Sequence, residues 1–351
     1  MICALSSGCF VSHEAAIQTA GVPFAELSTH RLEMLDTVID GMQRAGTRIV
    51  GVHAPCPNHG YGIDPGASPG SWERTKQALL ETGSIACAAG ASYVVAHAFY
   101  CVDDGLPADD AERMQALRAI HAGDLPMSQY VHSEPYIEAK FRTIDNLANL
   151  LPTWRQRFPK LQLVLENLNP RHGYGGIVFQ DVVDIAAVLH GEVGVCLDVG
   201  HLLLAETALG RQMRDSIAGA GNLIRVAHVH QNFSGRFCVD RHWSDLEARN
   251  GLQDVDTHLP LDVPMWRAQT SQEFIVGAEN AAFLNILEGA VQYSRPETGG
   301  MVVMGTVPVD ALIDTIPKDA ICVFEADSRY VPLEAVLDSY RRFALSLGGL
   351  T

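Results

Sequence analysis

The chain has 351 residues, 47% of them hydrophobic and 19% charged, which supplies apolar material for a large core and excludes a mainly disordered polymer. Its 25 basic and 41 acidic residues give a formal charge of −16, and no basic stripe interrupts that balance, so a nucleic-acid partner is disfavoured. No apolar run reaches membrane-span length and the start MICALSSGCF lacks the positive region of a leader, so no membrane partner is expected. The 8 cysteines are scattered without a CxxC pair, which points to free thiols in a reducing, cytoplasmic setting.

In chain order, short apolar runs alternate with longer amphipathic stretches. The runs are Ile2 to Ser6, Phe24 to Leu27, Arg48 to His53, Tyr93 to His97, Leu161 to Glu166, Val193 to Asp198, Arg225 to His230, and Ala320 to Glu325. Strands alternating with helices predict βα units on a parallel sheet, and this number of runs predicts a closed (β/α)8 barrel, an α/β fold. A doubly wound sheet would place a glycine-rich phosphate loop after an early strand, and GxGxxG is absent. One domain over 1–351 is therefore expected, with loop insertions at about 99–135 and 231–304. Between them the pattern predicts a helix from roughly Ile137 to Trp154, and the second insertion contains a helical segment around Glu279 to Tyr293. Long loops at the C-terminal mouth of a barrel form lids and substrate walls.

The chemistry is concentrated where the runs end. RIVGVH ends in His53, SYVVAH in His97, LQLVLE in Glu166, VGVCLD in Asp198, RVAHVH in His230 and CVFE in Glu325. Any one of these reads most simply as a capping or loop residue. Parallel barrel strands all end at one mouth, so the whole set would converge there, and converging carboxylates are costly to desolvate without a cation. Histidine with carboxylates and no cysteine at the strand ends favours a borderline-to-hard divalent ion: Zn, Mn, Co or Mg. His201 follows Asp198 by a short turn, and His228 lies on the same face of its strand as His230. One of that pair is expected as a ligand and the other as a substrate contact or a core histidine.

The segments GVHAP (Gly51 to Pro55), VVAHAF (Val94 to Phe99), LVLENLNP (Leu163 to Pro170), CLDVGH (Cys196 to His201), HVHQN (His228 to Asn232) and VFEAD (Val323 to Asp327) occur in barrel order. Together they resemble the xylose-isomerase-like superfamily of barrels, which includes sugar phosphate isomerases and epimerases and the endonuclease IV type of AP endonuclease. In the epimerase branch the resemblance implies one divalent ion on Glu166, Asp198, His230 and Glu325. In the endonuclease branch it implies further ions, for one to three in all, on His53, His97 and His201 with an Asp-x-His motif, either Asp240 with His242 or Asp256 with His258.

For an isomerase or epimerase, the expected reaction is proton transfer next to a carbonyl through a metal-stabilised enediolate, with Glu166 and Glu325 exchanging the proton as catalytic base and acid. His201, His228, Asn167 and Arg329 are candidate hydroxyl binders. Arg171, Arg241 or Arg329 could hold a phosphate on a small sugar or cyclitol substrate. The alternatives are a multinuclear zinc hydrolase or phosphodiesterase, a sugar lyase or dehydratase, and a non-catalytic or peptide-modifying barrel, for which Cys56 is the residue to watch against a plain structural thiol. Association into a homo-oligomer stays open.

Overall fold

A computed structural model describes residues 1–7, 22–29, 35–55, 63–101, 125–170, 173–209, 211, 213–217, 219–229, 315–325, 337, 340, 341, 343–345 and 347. All the expected strands form. They are β1 (Ile2–Ser6), β2 (Phe24–Ser28), β3 (Arg48–His53), β4 (Tyr93–His97), β5 (Gln162–Glu166), β6 (Val193–Asp198), β7 (Ile224–Val229) and β8 (Ile321–Phe324). Every neighbouring pair is parallel, and β8 closes on β1 with Ile2 opposite Ile321 and Leu5 opposite Phe324. The chain is thus a closed parallel (β/α)8-type barrel. Of the two expected insertions, residues 102–124 of the first and all of 231–304, with its helical segment, lie outside the described residues.

The strands are apolar on both faces because each face meets a separate core. Inside the barrel, Ala4, Val50, Tyr93, Val95, Val164, Cys196, Val226 and Val323 fill the lumen. The alternate positions, such as Leu5, Leu27, Val52, Val94, Leu165 and Leu197, pack outward against the helices in a second, larger cluster. Continuous apolar runs are what burial on both faces requires.

Six helices and one short 3-10 turn matter for placing these strands. They are α1 (Leu35–Arg44), α2 (Pro69–Ala89), α3 (Met127–Tyr130), α4 (Glu134–Arg157), α5 (Phe179–Val188) and α6 (Val199–Leu209), with the turn at Gly221–Leu223 leading into β7. α2 opens with Pro69 in its first turn, where a missing N–H costs nothing, and ends on Gly90 at φ 77°, a left-handed stop that a side chain would strain. α4 begins earlier than the sequence pattern predicts, because Ser133 supplies an extended cap position and Pro135 is tolerated in a first turn. Its Lys140 bridges Asp181 at 2.7 Å and Asp184 at 2.9 Å, tying α4 to α5.

The loop after β3 is held by a buried acid. Asp64 Oδ1 accepts the backbone N–H of Gly66 at 2.8 Å and of Tyr100 at 2.9 Å. Burial pushes its carboxyl up to about 7, against those two N–H groups and the nearby Arg142, which pull it down. A carboxyl raised by folding stabilises the fold most below its unfolded value and loses that contribution as pH rises through about 7. Asp64→Asn keeps the acceptor without the charge. In urea unfolding it is expected to exceed the parent by about 1–4 kcal/mol at pH 8, with the gap closing as pH falls towards about 4.

Candidate metal centre

Strand register places the acids and imidazoles at one level of the mouth. His97 pairs with Glu166 across β4 and β5, and Asp198 pairs with His228 across β6 and β7. Glu325 follows the last residue of β8, where its backbone N–H donates to the Val229 carbonyl at 3.0 Å. Glu166, Asp198, His228 and Glu325 are all buried, and each offers a donor atom within 4.8 Å of the others. His228 Nδ1 lies 3.3 Å from Glu166 Oε1 and 3.3 Å from Glu325 Oε2. Ser6, at the end of β1, donates its hydroxyl to Glu325 Oε1 at 3.3 Å.

A second group shares Glu166. His53, His97 and Glu166 also meet within 4.8 Å. His53 Nδ1–H donates to the Ala54 carbonyl at 2.7 Å, which turns Nε2 towards Glu166 Oε2 at 2.9 Å. His97 Nδ1 is engaged by the Tyr100 hydroxyl, and its Nε2 stands 3.8 Å from the same Glu166 oxygen. Tyr100 is in turn fixed by its N–H on Asp64 and by an isolated bridge to Tyr174.

The electrostatics follow from burial opposed by charge. Burial alone would raise Glu166, but the charges and hydrogen bonds of His228 and His53 hold its carboxyl well below the usual range. Burial would lower His53 and His228; hydrogen bonding and charge from Glu166 raise the first, and Cys196 with Glu26, Glu325 and Glu166 raises the second. His97 is different. Its burial dominates and takes it down to about 3, so its imidazole is neutral and keeps a lone pair for a cation.

The remaining predicted site residues divide into those brought to the cluster and those beyond the described residues. His201, in the first turn of α6, donates its backbone N–H to Asp198 Oδ1 at 2.7 Å, and its Nδ1 lies 3.0 Å from the Asn167 carbonyl. Asn167 uses both ends of its amide on Asp198: Nδ2–H donates to the carbonyl at 3.0 Å and Oδ1 accepts the N–H at 2.8 Å. It therefore clamps the end of β5 to the end of β6. His228, expected as a substrate contact or a ligand, is 0% exposed and stands among the side chains that could hold a cation. His230, Asp240, His242, Asp256, His258, Arg329, Arg171, Arg241 and Cys56 lie outside the described residues.

Sequence reading missed Glu26 and Tyr93. Glu26 is 0% exposed in the middle of β2, and the Tyr93 hydroxyl donates to its Oε2 at 2.8 Å. His228 Nε2 lies 3.2 Å from Glu26 Oε2 and 3.2 Å from Oε1. The available signal was an acid inside FAELS, a run whose two faces are both buried in a closed barrel.

These residues fit a divalent cation. Three carboxylates, Glu166, Asp198 and Glu325, are each less than a tenth exposed and crowd one point with imidazole beside them. Like charges so placed repel unless a cation neutralises them, and an oxygen and nitrogen donor set suits zinc, manganese, cobalt or magnesium. Among the described residues no helix is long and apolar enough to cross a membrane, and Cys3, Cys87, Cys101, Cys196 and Cys322 are free thiols.

No curated protein matches this sequence. Among solved structures, D-psicose 3-epimerase with D-tagatose from Clostridium cellulolyticum H10 superposes with a TM-score of 0.55 at 10% identity, covering 99% of this chain and 100% of that one. The 3-keto-D-glucoside 4-epimerase of E. coli gives a TM-score of 0.53 at 10% identity over 98% of this chain and 99% of its own. The IOLI protein with a binding zinc atom gives 0.53 at 12% identity over 99% of this chain and 98% of its own. At these identities the likeness is one of fold. The model of the xylose isomerase-like TIM barrel family matches residues 14–261, well over half of the chain and from between β1 and β2 to beyond β7. With the closed barrel and the acids and imidazoles gathered at its mouth, that match makes the chain a member of the xylose isomerase-like TIM barrel family.

Proposed function

We propose that this protein is a divalent-cation-dependent isomerase or epimerase acting on a small polyhydroxy carbonyl compound, a sugar or cyclitol. The observation that carries this reading is the pair of buried glutamates, Glu166 and Glu325, which approach the same His228 nitrogen at 3.3 Å each from different strands. Glu166, Asp198 and Glu325 would hold the ion with an imidazole from the end of β7. His228 is the imidazole within the cluster, and His230 is the alternative donor; cation content of His228→Gln and His230→Gln assigns the role. When bound, such a cation polarises a carbonyl oxygen and the neighbouring hydroxyl as a Lewis acid.

The chain's own residues would do the rest. One glutamate removes the proton next to the carbonyl and the other returns a proton to the opposite face, the two exchanging roles for the reverse reaction. Asn167 keeps Asp198 in place, and Ser6 orients Glu325 through its hydrogen bond. The structural likeness to two sugar epimerases supports this reading of substrate class. A phosphate on the substrate would meet Arg171, Arg241 or Arg329.

The second triad, His53, His97 and Glu166, favours one other reading: a multinuclear zinc hydrolase or lyase in which further ions bind beside the first, with His201 and either Asp240 and His242 or Asp256 and His258. Incubation with a panel of ketoses and inososes in deuterated water with Mn or Co separates the two. The isomerase reading expects carbon-bound hydrogen to exchange with solvent in at least one substrate, with one ion per chain. Absence of exchange, with two or three ions per chain and cleavage of an ester, glycosidic or phosphodiester bond, would overturn it.

A further inference from the structure

We propose that Glu26 and Tyr93 form a polar brace inside the barrel that aims His228 at the ligand cluster, Glu26 being a positioning residue for cation binding. The consequence for cation affinity rests on the reading above. The geometry of the brace does not.

The brace is assembled from strands on both sides of the lumen. Glu26 sits in β2 between Ala25 and Leu27, which pack outward among the helices, so period-two alternation turns the carboxylate inward. A carboxylate that is 0% exposed needs partners, and it has two: the Tyr93 hydroxyl at 2.8 Å from β4 and the His228 Nε2 at 3.2 Å from β7. The Tyr93 ring reaches Glu26 by crossing β3 at Gly51, where a Cβ would lie 2.0 Å from Cζ of the ring. A glycine, a tyrosine and a glutamate on three neighbouring strands are thus mutually required.

An imidazole has one proton to place when neutral. A cation at the cluster would take the place of the proton that Nδ1 shares with Glu166 Oε1 and Glu325 Oε2 at 3.3 Å each; with the Nε2–H directed at Glu26, the lone pair is then left on Nδ1. A carboxylate behind a ligating histidine fixes its ring orientation and makes the ligating nitrogen more basic. Tyr93 performs the same service one step back, by holding Glu26 Oε2.

The experiment titrates metal-free protein with Co(II), following its visible absorption, in the parent, Glu26→Gln, Tyr93→Phe, His228→Gln and the Glu26→Gln/His228→Gln double variant. It also records the ring N–H proton of His228 by 1H–15N correlation, assigned by its loss in His228→Gln. Glu26→Gln is expected to weaken Co(II) binding by about 10–100-fold, and Tyr93→Phe by less. In the His228→Gln background the Glu26 change should add nothing, because it acts through that ring. The parent should show a far-downfield Nε2–H proton, with or without Co(II), that moves upfield or vanishes in Glu26→Gln. Parent-like Co(II) affinity in Glu26→Gln, or an equal loss with and without His228, would overturn the proposal. Tyr93→Phe removes one hydroxyl and keeps the ring, so it serves if Glu26→Gln fails to fold. If the parent takes up no Co(II) but shows the downfield proton, the functional reading falls and the brace stands; a parent without that proton loses the brace whatever the cation does.

Discussion

Replacement of Glu166 by glutamine is expected to have the largest effect of any single change, lowering turnover by about a hundred- to ten-thousand-fold. Glu166 belongs to both groups of side chains that could hold a cation, with Oε1 facing His228 and Oε2 facing His53 and His97. It is also one of the two proposed proton-transfer groups, so the change removes a negative ligand and an acid–base partner together. Glutamine keeps the shape but neither the charge nor the basicity. Divalent cation content should fall by more than the roughly 10–100-fold loss typical of a group that only braces a ligand. Thermal stability of the metal-free protein should fall as well, because His228 and His53 hold the ionised carboxylate well below its usual range and glutamine leaves both imidazoles without that charge. Elemental analysis, steady-state kinetics and melting curves check these three statements. Retention of both cation and activity would remove Glu166 from the site.

Gly51→Ala is expected to cost about 1–3 kcal/mol of stability, although it adds one methyl group on a strand that favours side chains over glycine. The added Cβ would lie 2.0 Å from Cζ, 2.2 Å from Cε2 and 2.5 Å from the hydroxyl oxygen of Tyr93. Tyr93 is 3% exposed in the packed lumen, so its ring has no free volume to enter. Urea unfolding measures the cost. Pairing the change with Tyr93→Leu should recover part of it, since the clash partner is gone, and that non-additivity separates a local collision from a general intolerance of alanine on β3. Gly51→Ala should also weaken cation binding, because displacing Tyr93 loosens Glu26.

The strands were legible because a closed barrel buries both faces of each one, leaving uninterrupted apolar runs such as VGVCLD and LQLVLE that differ from the longer patterned helices. Their ends were legible for a related reason. A side chain that can bind metal and stops an apolar run marks the point where the strand leaves the core, and parallel strands leave it at the same mouth. His53, His97, Glu166, Asp198 and Glu325 were singled out that way, and all lie in the two groups of side chains that could hold a cation.

What could not be read along the chain was decided by closure and register. Glu26 in FAELS alternates with outward-facing Ala25 and Leu27, and in one dimension an acid on the opposite face reads as solvent-exposed. Only a sheet that curls shut makes that face an interior, where the same acid must find Tyr93 and His228. The Asn167 clamp exists only because β6 lies alongside β5 and brings the Asp198 backbone to both ends of its amide. The two histidines of HVH share one strand face, so alternation cannot choose between them. The β6–β7 register, shifted between Val195 and Cys196, puts Asp198 opposite His228 and so brings that ring level with the acids. Sequence by itself determined the barrel, the mouth and the kind of chemistry gathered there, because these follow from burial period and chain direction. That His228 stands level with the acids, and that Glu26 and Tyr93 hold it from behind, depends on strand register, which hydrogen bonding between distant segments decides.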